Sequence, residues 1–289
     1  MDQTLLVFVT AAEKGNFTRA AEELHMTQPA VSQYIRSLEQ AVGTKLLDRT
    51  SKYVKLNPAG KVVYDHAKQI LSLYTRMQSL VDDLLHTAGG PLVIGASYTY
   101  GEYVLPRLIG RLQKEYPRIR PFISIGNTQE IAESVLEHRL DIGIVEGEYR
   151  DARLKVEPFA EDEMYLMVAA DHPLATRERV DFAEVAEENW ILREPGSGTR
   201  EAAERLFGEL GSRPKRTMEF GSTQLIKESV EAGLGIALLS SHTVSKELKL
   251  GTMRMLRIGD SCVRRPFYWV QRNSDTEPKA VRVFIDMLT

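Results

Sequence analysis

Between residues 18 and 39, apolar side chains recur at helical spacing in two short stretches. The buried faces of these stretches are predicted to consist of Ala20, Ala21, Leu24, Val31, Ile35 and Leu38. Thr27 is well placed as the N-cap of the second stretch, and Pro29 is tolerated in its first turn, where amide hydrogens have no intrahelical partner. The pattern therefore predicts two helices joined by a tight turn.

The exposed face of the second predicted helix is polar. It carries Gln28, Ser32, Gln33 and Arg36, which are side chains that can reach base edges and phosphates in a DNA major groove. An ordinary solvated helical hairpin would show the same spacing. The pattern by itself leaves both interpretations open.

A longer helical pattern extends from Ala59 to His86 without a proline. Its apolar positions follow the heptad spacing of a coiled coil, and they are Val63, Ala67, Ile70, Tyr74, Met77, Val81 and Leu84. A helix that packs on its own domain would also fit. We favour a seam between two subunits, because helix-turn-helix proteins commonly read two half-sites as a two-fold pair. The segment Ala88-Gly89-Gly90-Pro91 ends the helix and predicts a hinge.

Beyond Leu92, short apolar strands alternate with helical stretches, which predicts parallel strands joined by crossover helices. The predicted strands are 92–95, 121–125, 141–145, 161–170, 190–192, 216–219 and 236–239, and the predicted helices are 103–116, 130–137, 200–210 and 223–232. Residues 133–145 and 228–239 echo each other as a helix followed by a strand. The expected fold class is α/β, with two similar lobes and a cleft between them.

Composition is that of a globular protein, with 289 residues of which 43% are hydrophobic and 27% charged. No run of about 18 apolar residues suggests a transmembrane helix. The apolar stretch from Leu5 to Val9 is too short for a secretory signal and follows the acidic Asp2. We expect a cytoplasmic protein without a membrane partner. Cys262 is the single cysteine, which excludes an intrachain disulfide and a thiolate zinc site.

The formal net charge of −3 is distributed unevenly along the chain. Residues 28–61 contain six cations and two acids, which leaves +4 on this segment and −7 on the remainder. The cations are Arg36, Lys45, Arg49, Lys52, Lys55 and Lys61, and the acids are Glu39 and Asp48. A small basic module on an acidic body fits site-specific DNA binding better than a broad nonspecific coat.

Several motifs near the N-terminus resemble the winged-helix head of LysR-type transcriptional regulators. They are Phe8-Val9, Gly15-Asn16-Phe17-Thr18-Arg19-Ala20-Ala21, Gln28-Pro29-Ala30-Val31-Ser32, Leu38-Glu39, Gly43, Leu46-Leu47-Asp48-Arg49 and Leu56-Asn57-Pro58-Ala59-Gly60. The resemblance implies a winged helix-turn-helix at 1–58 and a linker and dimerisation helix at 59–88. It also implies a two-lobed effector domain of the periplasmic-binding-protein type at 91–289.

The same resemblance implies that the head binds a double-stranded DNA operator. The residues expected to contact DNA are Thr18, Thr27, Gln28, Pro29, Ser32, Gln33, Arg36, Arg49 and Lys52, the last two from the wing. Self-association is also implied, with dimers formed through the linker helix that pair again into tetramers. RNA polymerase stays open as a further partner. No cofactor is expected besides a small-molecule effector.

Hydroxyl clusters follow predicted strands of both lobes at their carboxyl ends, where open α/β folds bind ligands. The effector-binding residues expected there are Ser97, Thr99, Asn127, Thr128, Ser197, Thr199, Arg200 and Ser222. Hydroxyls and free amides at helix N-termini attract anions. Each cluster would also serve as a simple helix cap, but corresponding positions in two lobes favour a ligand site.

The Gly-Ser-Gly-Thr-Arg loop at 196–200 resembles a subgroup similar to sulfur-assimilation regulators. That resemblance implies a small anionic effector, such as a sulfur oxyanion or a phosphorylated metabolite. Since the loops hold no lysine, we expect dipoles and amides rather than a buried cation to bind the anion. Arg200 would instead serve a small carboxylate through a bidentate pair, and this alternative stays open.

An enzyme would need a nucleophile with a base, or a metal constellation. The six histidines are scattered, and no pair has metal-ligand spacing on a helix. Gly196-Ser197-Gly198 lacks the spacing of a nucleophile elbow, and no phosphate loop is present. We therefore expect no enzymatic activity. A solute-binding module without a regulatory role is the competing interpretation of residues 91–289.

Overall fold

The computed structural model describes residues 3–49, 53–85, 88–147, 149–259, 262–273 and 276–289. The chain divides into two compact units, Met1–Leu84 and Leu85–Thr289. Each unit has its own hydrophobic core. Within the described ranges, no helix combines the length and the apolar character that a bilayer crossing requires.

The N-terminal unit begins with three helices, α1 (Gln3–Lys14), α2 (Phe17–Glu23) and α3 (Gln28–Val42). Two short strands, β1 (Leu47–Arg49) and β2 (Val54–Leu56), pair antiparallel as a wing. The long helix α4 (Pro58–Leu85) completes the unit. The predicted winged helix-turn-helix is therefore confirmed.

Local capping fixes where α2 and α3 begin. The Asn16 side chain accepts hydrogen bonds from the amides of Thr18 and Arg19 at the start of α2. Thr27 accepts from the amide of Ala30 at 3.4 Å and caps α3, as its position in the sequence predicts. The six apolar positions predicted for the inner faces of these helices all pack in the core of the unit, with Leu24 only partly buried.

Helix α4 has two apolar faces. Val63 packs against the core of the head, and Ala67 is almost fully buried in it. Among the described side chains of this helix, the large apolar ones that stay exposed are Val62, Ile70, Leu73, Met77 and Val81. The predicted seam is thus wrong at its first two positions, because a head of three short helices needs further apolar cover and takes it from α4. The side chain of Leu84 lies outside the described residues.

The C-terminal unit is built on one sheet, to which eight strands of its described residues contribute. They are β3 (Gly90–Ser97), β4 (Ile119–Gly126), β5 (Ile142–Glu146), β6 (Leu154–Ala169), β7 (Arg179–Val180), β10 (Ala237–Ser240), β11 (Met253–Ile258) and β12 (Val263–Arg272). Their order is β4-β3-β5-β12-β6-β11-β7, and β10 also pairs with β6. A separate parallel pair is formed by β8 (Asn189–Leu192) and β9 (Arg216–Glu219).

Helices connect these strands at both ends of the sheet. They are α5 (Tyr98–Tyr103), α6 (Leu105–Glu115), α7 (Thr128–Leu136), α8 (Phe182–Val185), α9 (Gly198–Glu209), α10 (Thr223–Glu231), α11 (Ser245–Leu250) and α12 (Lys279–Asp286). A short 3-10 turn at Ser241–Thr243 precedes α11. These helices pack against the sheet, and apolar side chains are buried between helices and strands at both of its ends.

Separate cores divide this unit into two lobes. Leu92, Ile144 and Phe284 belong to one core, and Leu166 and Trp190 belong to a second. We refer to the described residues of 88–160 and 267–289 as lobe 1 and to those of 161–266 as lobe 2. β6 and β12 pair antiparallel along their length and run from one lobe into the other. They are therefore the physical connection on which the lobes can move.

The predicted α/β fold with two lobes is confirmed, with corrections in detail. The helix predicted at 103–116 is α6, which begins at Leu105 with Pro106 in its first turn, and the short α5 that precedes it was not predicted. The strand predicted at 161–170 is the second half of the longer β6. β11 and β12 were not predicted, because charged residues and Pro266 interrupt the apolar pattern of β12. Gly90 and Pro91, predicted as a hinge, already pair with β4.

Candidate functional site

The exposed side of α3 carries most of the side chains predicted to contact DNA. Gln28, Pro29, Gln33 and Arg36 are exposed, and Ser32 is half-buried. They project from a helix whose opposite side is fixed in the core, so their positions are rigidly defined. This arrangement suits a recognition helix that enters a major groove.

The other predicted DNA contacts have mixed positions. Thr18 is exposed in the first turn of α2, and exposed Thr27 uses its hydroxyl as the cap of α3. Either residue can still reach a phosphate near a helix N-terminus. The side chain of Arg49 and the whole of Lys52 lie outside the described residues.

Sequence reasoning missed the part that Glu39 plays in the head. This carboxylate is 4% exposed and accepts a hydrogen bond from the amide of Leu46 at 3.1 Å. It also pairs with the ammonium of Lys45 at 2.9 Å. Glu39 thereby connects the end of α3 to the start of the wing. Its pairing with Lys45 also neutralises one of the six cations between residues 28 and 61.

At the centre of the cleft, the lobes meet around a carboxylate of the chain itself. Glu146, at the end of β5, is 2% exposed. Its Oε1 accepts from the Ser97 hydroxyl at 2.8 Å and from the Thr99 amide at 3.1 Å. Its Oε2 accepts from the Thr199 hydroxyl at 3.4 Å and pairs with Arg265 Nη1 at 2.6 Å. Three of the predicted effector residues therefore converge on one anionic group.

The cation in this group is Arg265 of β12, which is 1% exposed. Its Nε and Nη2 donate to Asp162 of β6 at 2.8 and 2.7 Å. Its Nη1 also donates to the Thr199 hydroxyl and its Nη2 to the Thr99 hydroxyl, each at 3.1 Å. The second oxygen of Asp162 accepts from Ser240 at 2.6 Å. Arg265 thus joins residues of both lobes at the point where the two paired long strands pass from one lobe into the other.

We call Ser97, Thr99, Glu146, Asp162, Thr199 and Arg265 the anion cluster. Its two carboxylates and one guanidinium have a formal charge of −1. The expectation that no buried cation serves this site is wrong, because Arg265 lies 119 residues beyond Glu146 and no loop motif marks it. Pairing of β12 with β5 and β6 brings it there.

Three further predicted residues begin helices beside the cluster. The Thr128 hydroxyl donates to the carbonyl oxygen of Glu146 at 2.8 Å and so supports its backbone. Asn127 accepts from the amide of Glu130 and forms a reciprocal capping box with it. Ser222 accepts from the amide of Leu225. Asn127 and Ser222 therefore act as helix caps in this arrangement, which was the alternative interpretation for them.

Ser197 and Arg200 lie at the start of α9 but outside the anion cluster. Ser197 is buried, and its hydroxyl makes no capping hydrogen bond. Arg200 donates through Nε to Glu204 at 3.1 Å and through Nη1 to the Arg193 carbonyl oxygen and Glu219. Of the residues predicted for one effector site, these two face a different space.

A second set of contacts holds the lobes together along α5. The guanidinium of Arg193 in lobe 2 lies 4.3 Å from the ring centre of Tyr98, and the Lys227 ammonium lies 5.0 Å from that of Tyr103. Burial raises the pKa of Tyr103. Burial would lower the pKa of Lys227, but hydrogen bonds to Glu247 and Tyr103 raise it on balance. Lys227 therefore stays charged and keeps its attraction to the ring.

The lobes are in close backbone contact at Gly198, the first residue of α9. A Cβ atom at this position would lie 2.6 Å from the Cβ of Glu146 and 2.7 Å from its carbonyl carbon. Glycine is therefore required for the close contact between α9 of lobe 2 and the end of β5 in lobe 1.

Comparison with known proteins gives matches over both units. Residues 3–61 match the bacterial regulatory helix-turn-helix protein, lysR family, and residues 86–289 match the LysR substrate binding domain. The HTH-type transcriptional regulator CysL of Bacillus subtilis (strain 168) is 37% identical over 284 residues, which is 98% of this chain and 95% of CysL.

Solved structures resemble the chain as well. The regulatory domain of CcmR from Synechocystis PCC6803, in complex with 2-PG, is 28% identical with a TM-score of 0.64, over 69% of this chain and 95% of that one. Full-length CbnR in complex with its target DNA is 21% identical with a TM-score of 0.76, over 99% of this chain and 98% of that one. At that identity, CbnR shows the fold alone.

Proposed function

Because the chain belongs to the LysR family of bacterial transcriptional regulators, we propose that it controls transcription at a DNA operator in response to a small oxyanion. As a member of this family it is a regulator and not an enzyme. The effector we propose is an oxyanion of sulfur, bound in the anion cluster. The observation that carries this proposal is the Glu146 carboxylate, which already occupies an anion position between the lobes.

The donors around Glu146 suit a compact oxyanion. An anion in place of the carboxylate would accept from the Ser97 and Thr199 hydroxyls, the Thr99 amide and Arg265. Charge-assisted hydrogen bonds of this kind are the strong ones, and several convergent donors fix the geometry of the ligand. The resemblance of the Gly-Ser-Gly-Thr-Arg loop at 196–200 to sulfur-assimilation regulators favours an oxyanion of sulfur.

The effector must replace Glu146 rather than bind beside it. The cluster already has a formal charge of −1, and a second anion next to a buried carboxylate would be repelled. When the effector enters, Glu146 has to leave its donors, and the contact between β5 and α9 changes with it. A ligand can shift the arrangement of the lobes only by the difference in its affinity for the two arrangements.

We propose that α3 reads the operator through Gln28, Ser32, Gln33 and Arg36, with Lys52 on the phosphate backbone. The exposed apolar side chains of α4 from Ile70 onward would pair two subunits, and a two-fold pair would read two half-sites. Because the operator is chromosomal DNA, we place the protein in the cytoplasm.

Calorimetric titration of the full-length protein with sulfite, sulfate, phosphate, 2-phosphoglycolate and acetate tests the effector. We expect binding of a sulfur oxyanion, weakened about tenfold by Thr199→Val because a hydroxyl donor to the anion is lost. Thr217→Val, an exposed change on β9, is the control and should leave affinity unchanged.

Three outcomes would contradict the proposal. Binding of acetate alone, lost in Arg200→Ala and kept in Thr199→Val, would assign the effector to the carboxylates. Binding of 2-phosphoglycolate in preference to the sulfur oxyanions would assign it to phosphorylated metabolites, in line with the 2-PG complex of the CcmR domain. Oxyanion affinity that does not change in Thr199→Val would place the ligand elsewhere.

A further inference from the structure

A second space between the lobes lies beside the anion cluster. It is a pocket of about 430 Å³, and we call it the side pocket. Lobe 1 contributes Gln129, Glu133 and Tyr149, and lobe 2 contributes Ser197, Arg200 and Glu201. Its volume lies in the range of pockets that hold small organic ligands, about 300–1,000 Å³. Of the residues that contact the anion cluster, Thr128 also lines the side pocket.

One wall of the side pocket carries the hydroxyl of Ser197, a largely buried residue that makes no side-chain hydrogen bond to any described residue. Ser197 is 5% exposed and stands at the N-cap position of α9, yet its hydroxyl neither caps the helix nor makes another hydrogen bond. The N-caps of α7 and α10, Asn127 and Ser222, both make that bond. This hydroxyl and the uncapped first-turn amides of α9 are donors that no side-chain acceptor caps at the start of this helix. The wall is therefore built to meet an acceptor.

Arg200 adds a cationic donor to the same wall. Its Nε and Nη1 are used by Glu204, Glu219 and the carbonyl oxygen of Arg193. Within the described residues, Nη2 donates to no group, and the side chain lines the pocket. Ser197 and Arg200 together form a receptor for a carboxylate.

The side pocket also has acidic side chains. Glu133 lines it from lobe 1 and Glu201 from α9 of lobe 2, and Glu133 accepts a hydrogen bond from Gln129 at 2.8 Å. The pKa of Tyr149 is raised by burial and further by the negative charges of Asp151 and Glu133. These groups favour a ligand that brings an ammonium group.

We propose that the side pocket binds a small amino acid as a second ligand of this regulator. Its carboxylate would accept from Ser197, Arg200 and the start of α9, and its ammonium would face Glu133 and Glu201. Both lobes contribute to the pocket, so the bound amino acid favours the arrangement in which α9 contacts the end of β5.

Amino acid and oxyanion are coupled through the first turn of α9. Ser197 faces the side pocket, while Thr199, two residues later, donates to the anion cluster. Each ligand therefore contacts the same helix start, and each should change the affinity for the other by an equal factor.

The test is calorimetric titration of the full-length protein with each of the twenty protein amino acids. For any that binds, the N-acetyl and the carboxamide derivatives remove one charge each and should bind at least about tenfold more weakly. Ser197→Ala and Glu133→Gln should each weaken binding about tenfold. As a control, Glu137→Gln removes a carboxylate at the end of α7, the helix that carries Glu133, but outside the side pocket. This change should leave amino acid binding unchanged.

The result separates this proposal from the oxyanion site. Thr199→Val should weaken the oxyanion alone in titrations without amino acid, while Ser197→Ala should weaken the amino acid alone in titrations without oxyanion. The proposal is overturned if none of the twenty amino acids binds, or if binding is equal in wild type, Ser197→Ala and Glu133→Gln. Either result leaves the oxyanion proposal to its own test.

Discussion

Replacing Glu146 with glutamine keeps the size of the side chain but removes its charge from the anion cluster. The carboxylate accepts from the Ser97 hydroxyl at 2.8 Å and the Thr99 amide at 3.1 Å, and it pairs with Arg265 at 2.6 Å. Hydrogen bonds to charged groups contribute about 1.5–3 kcal/mol each, and neutral ones about 0.5–1.5 kcal/mol. If each contact loses roughly 1 kcal/mol, the side chain at position 146 competes with an incoming anion for these donors less strongly, by about 2–3 kcal/mol in total.

We therefore expect Glu146→Gln to bind sulfite about 30- to 150-fold more tightly than the wild-type protein, because 1.4 kcal/mol corresponds to a factor of ten. The formal charge of the cluster also changes from −1 to zero, which acts in the same direction. Calorimetry on the full-length protein measures the effect. Glu157→Gln, an exposed change on β6 in lobe 1, controls for the loss of a charge.

A sulfite affinity in Glu146→Gln that equals or falls below that of the wild type, with Glu157→Gln unchanged, would refute the reasoning. It would mean that Glu146 does not occupy the position of the effector. The carboxylate would then serve only to hold the lobes together.

Other changes test the other surfaces. Gln33→Ala should relax base preference and cost about 1–3 kcal/mol on the preferred operator, measured by fluorescence anisotropy on an operator series; unchanged preference would contradict the placement of α3. Ile70→Glu would bury an unpaired charge in the proposed seam and should give monomers in light scattering; an unchanged oligomer would reject the seam. Tyr103→Leu removes an attraction to Lys227 of about 0.5–2 kcal/mol, whereas Tyr103→Phe keeps it. Double electron–electron resonance between spin labels on the two lobes should therefore show a longer interlobe distance in Tyr103→Leu than in Tyr103→Phe. Equal distances in the two variants would show that this contact does not hold the lobes together.

The head could be predicted from sequence because its signals are local. Val31, Ile35 and Leu38 lie on one face of α3 through helical spacing alone, and Thr27 caps the same helix. Each of these features depends on neighbours within a few positions. Helix α4 shows the limit of that reasoning, since spacing identifies an apolar face but does not tell which body covers it. Ala67 turns to the head and Ile70 to solvent within one turn.

The effector site was only partly predictable, for the opposite reason. Hydroxyls such as Ser97 and Thr199 follow strands in a recognisable way, and they do converge. The charges that hold them come from Glu146 and Arg265, which stand in unremarkable positions of β5 and β12. Pairing between distant strands brings them together, and no short segment encodes that pairing.

A substitution at Gly198 should have an effect that a genetic experiment can detect. The absence of a single methyl group there lets α9 rest on the backbone of Glu146. In Gly198→Ala the added methyl group would overlap the backbone of Glu146 and hold the two lobes apart. The recognition helix lies in the separate head and would stay intact. We expect such an allele to produce a regulator that still occupies its operators but no longer responds to its effector, and a reporter strain would show expression fixed at one level with or without the oxyanion.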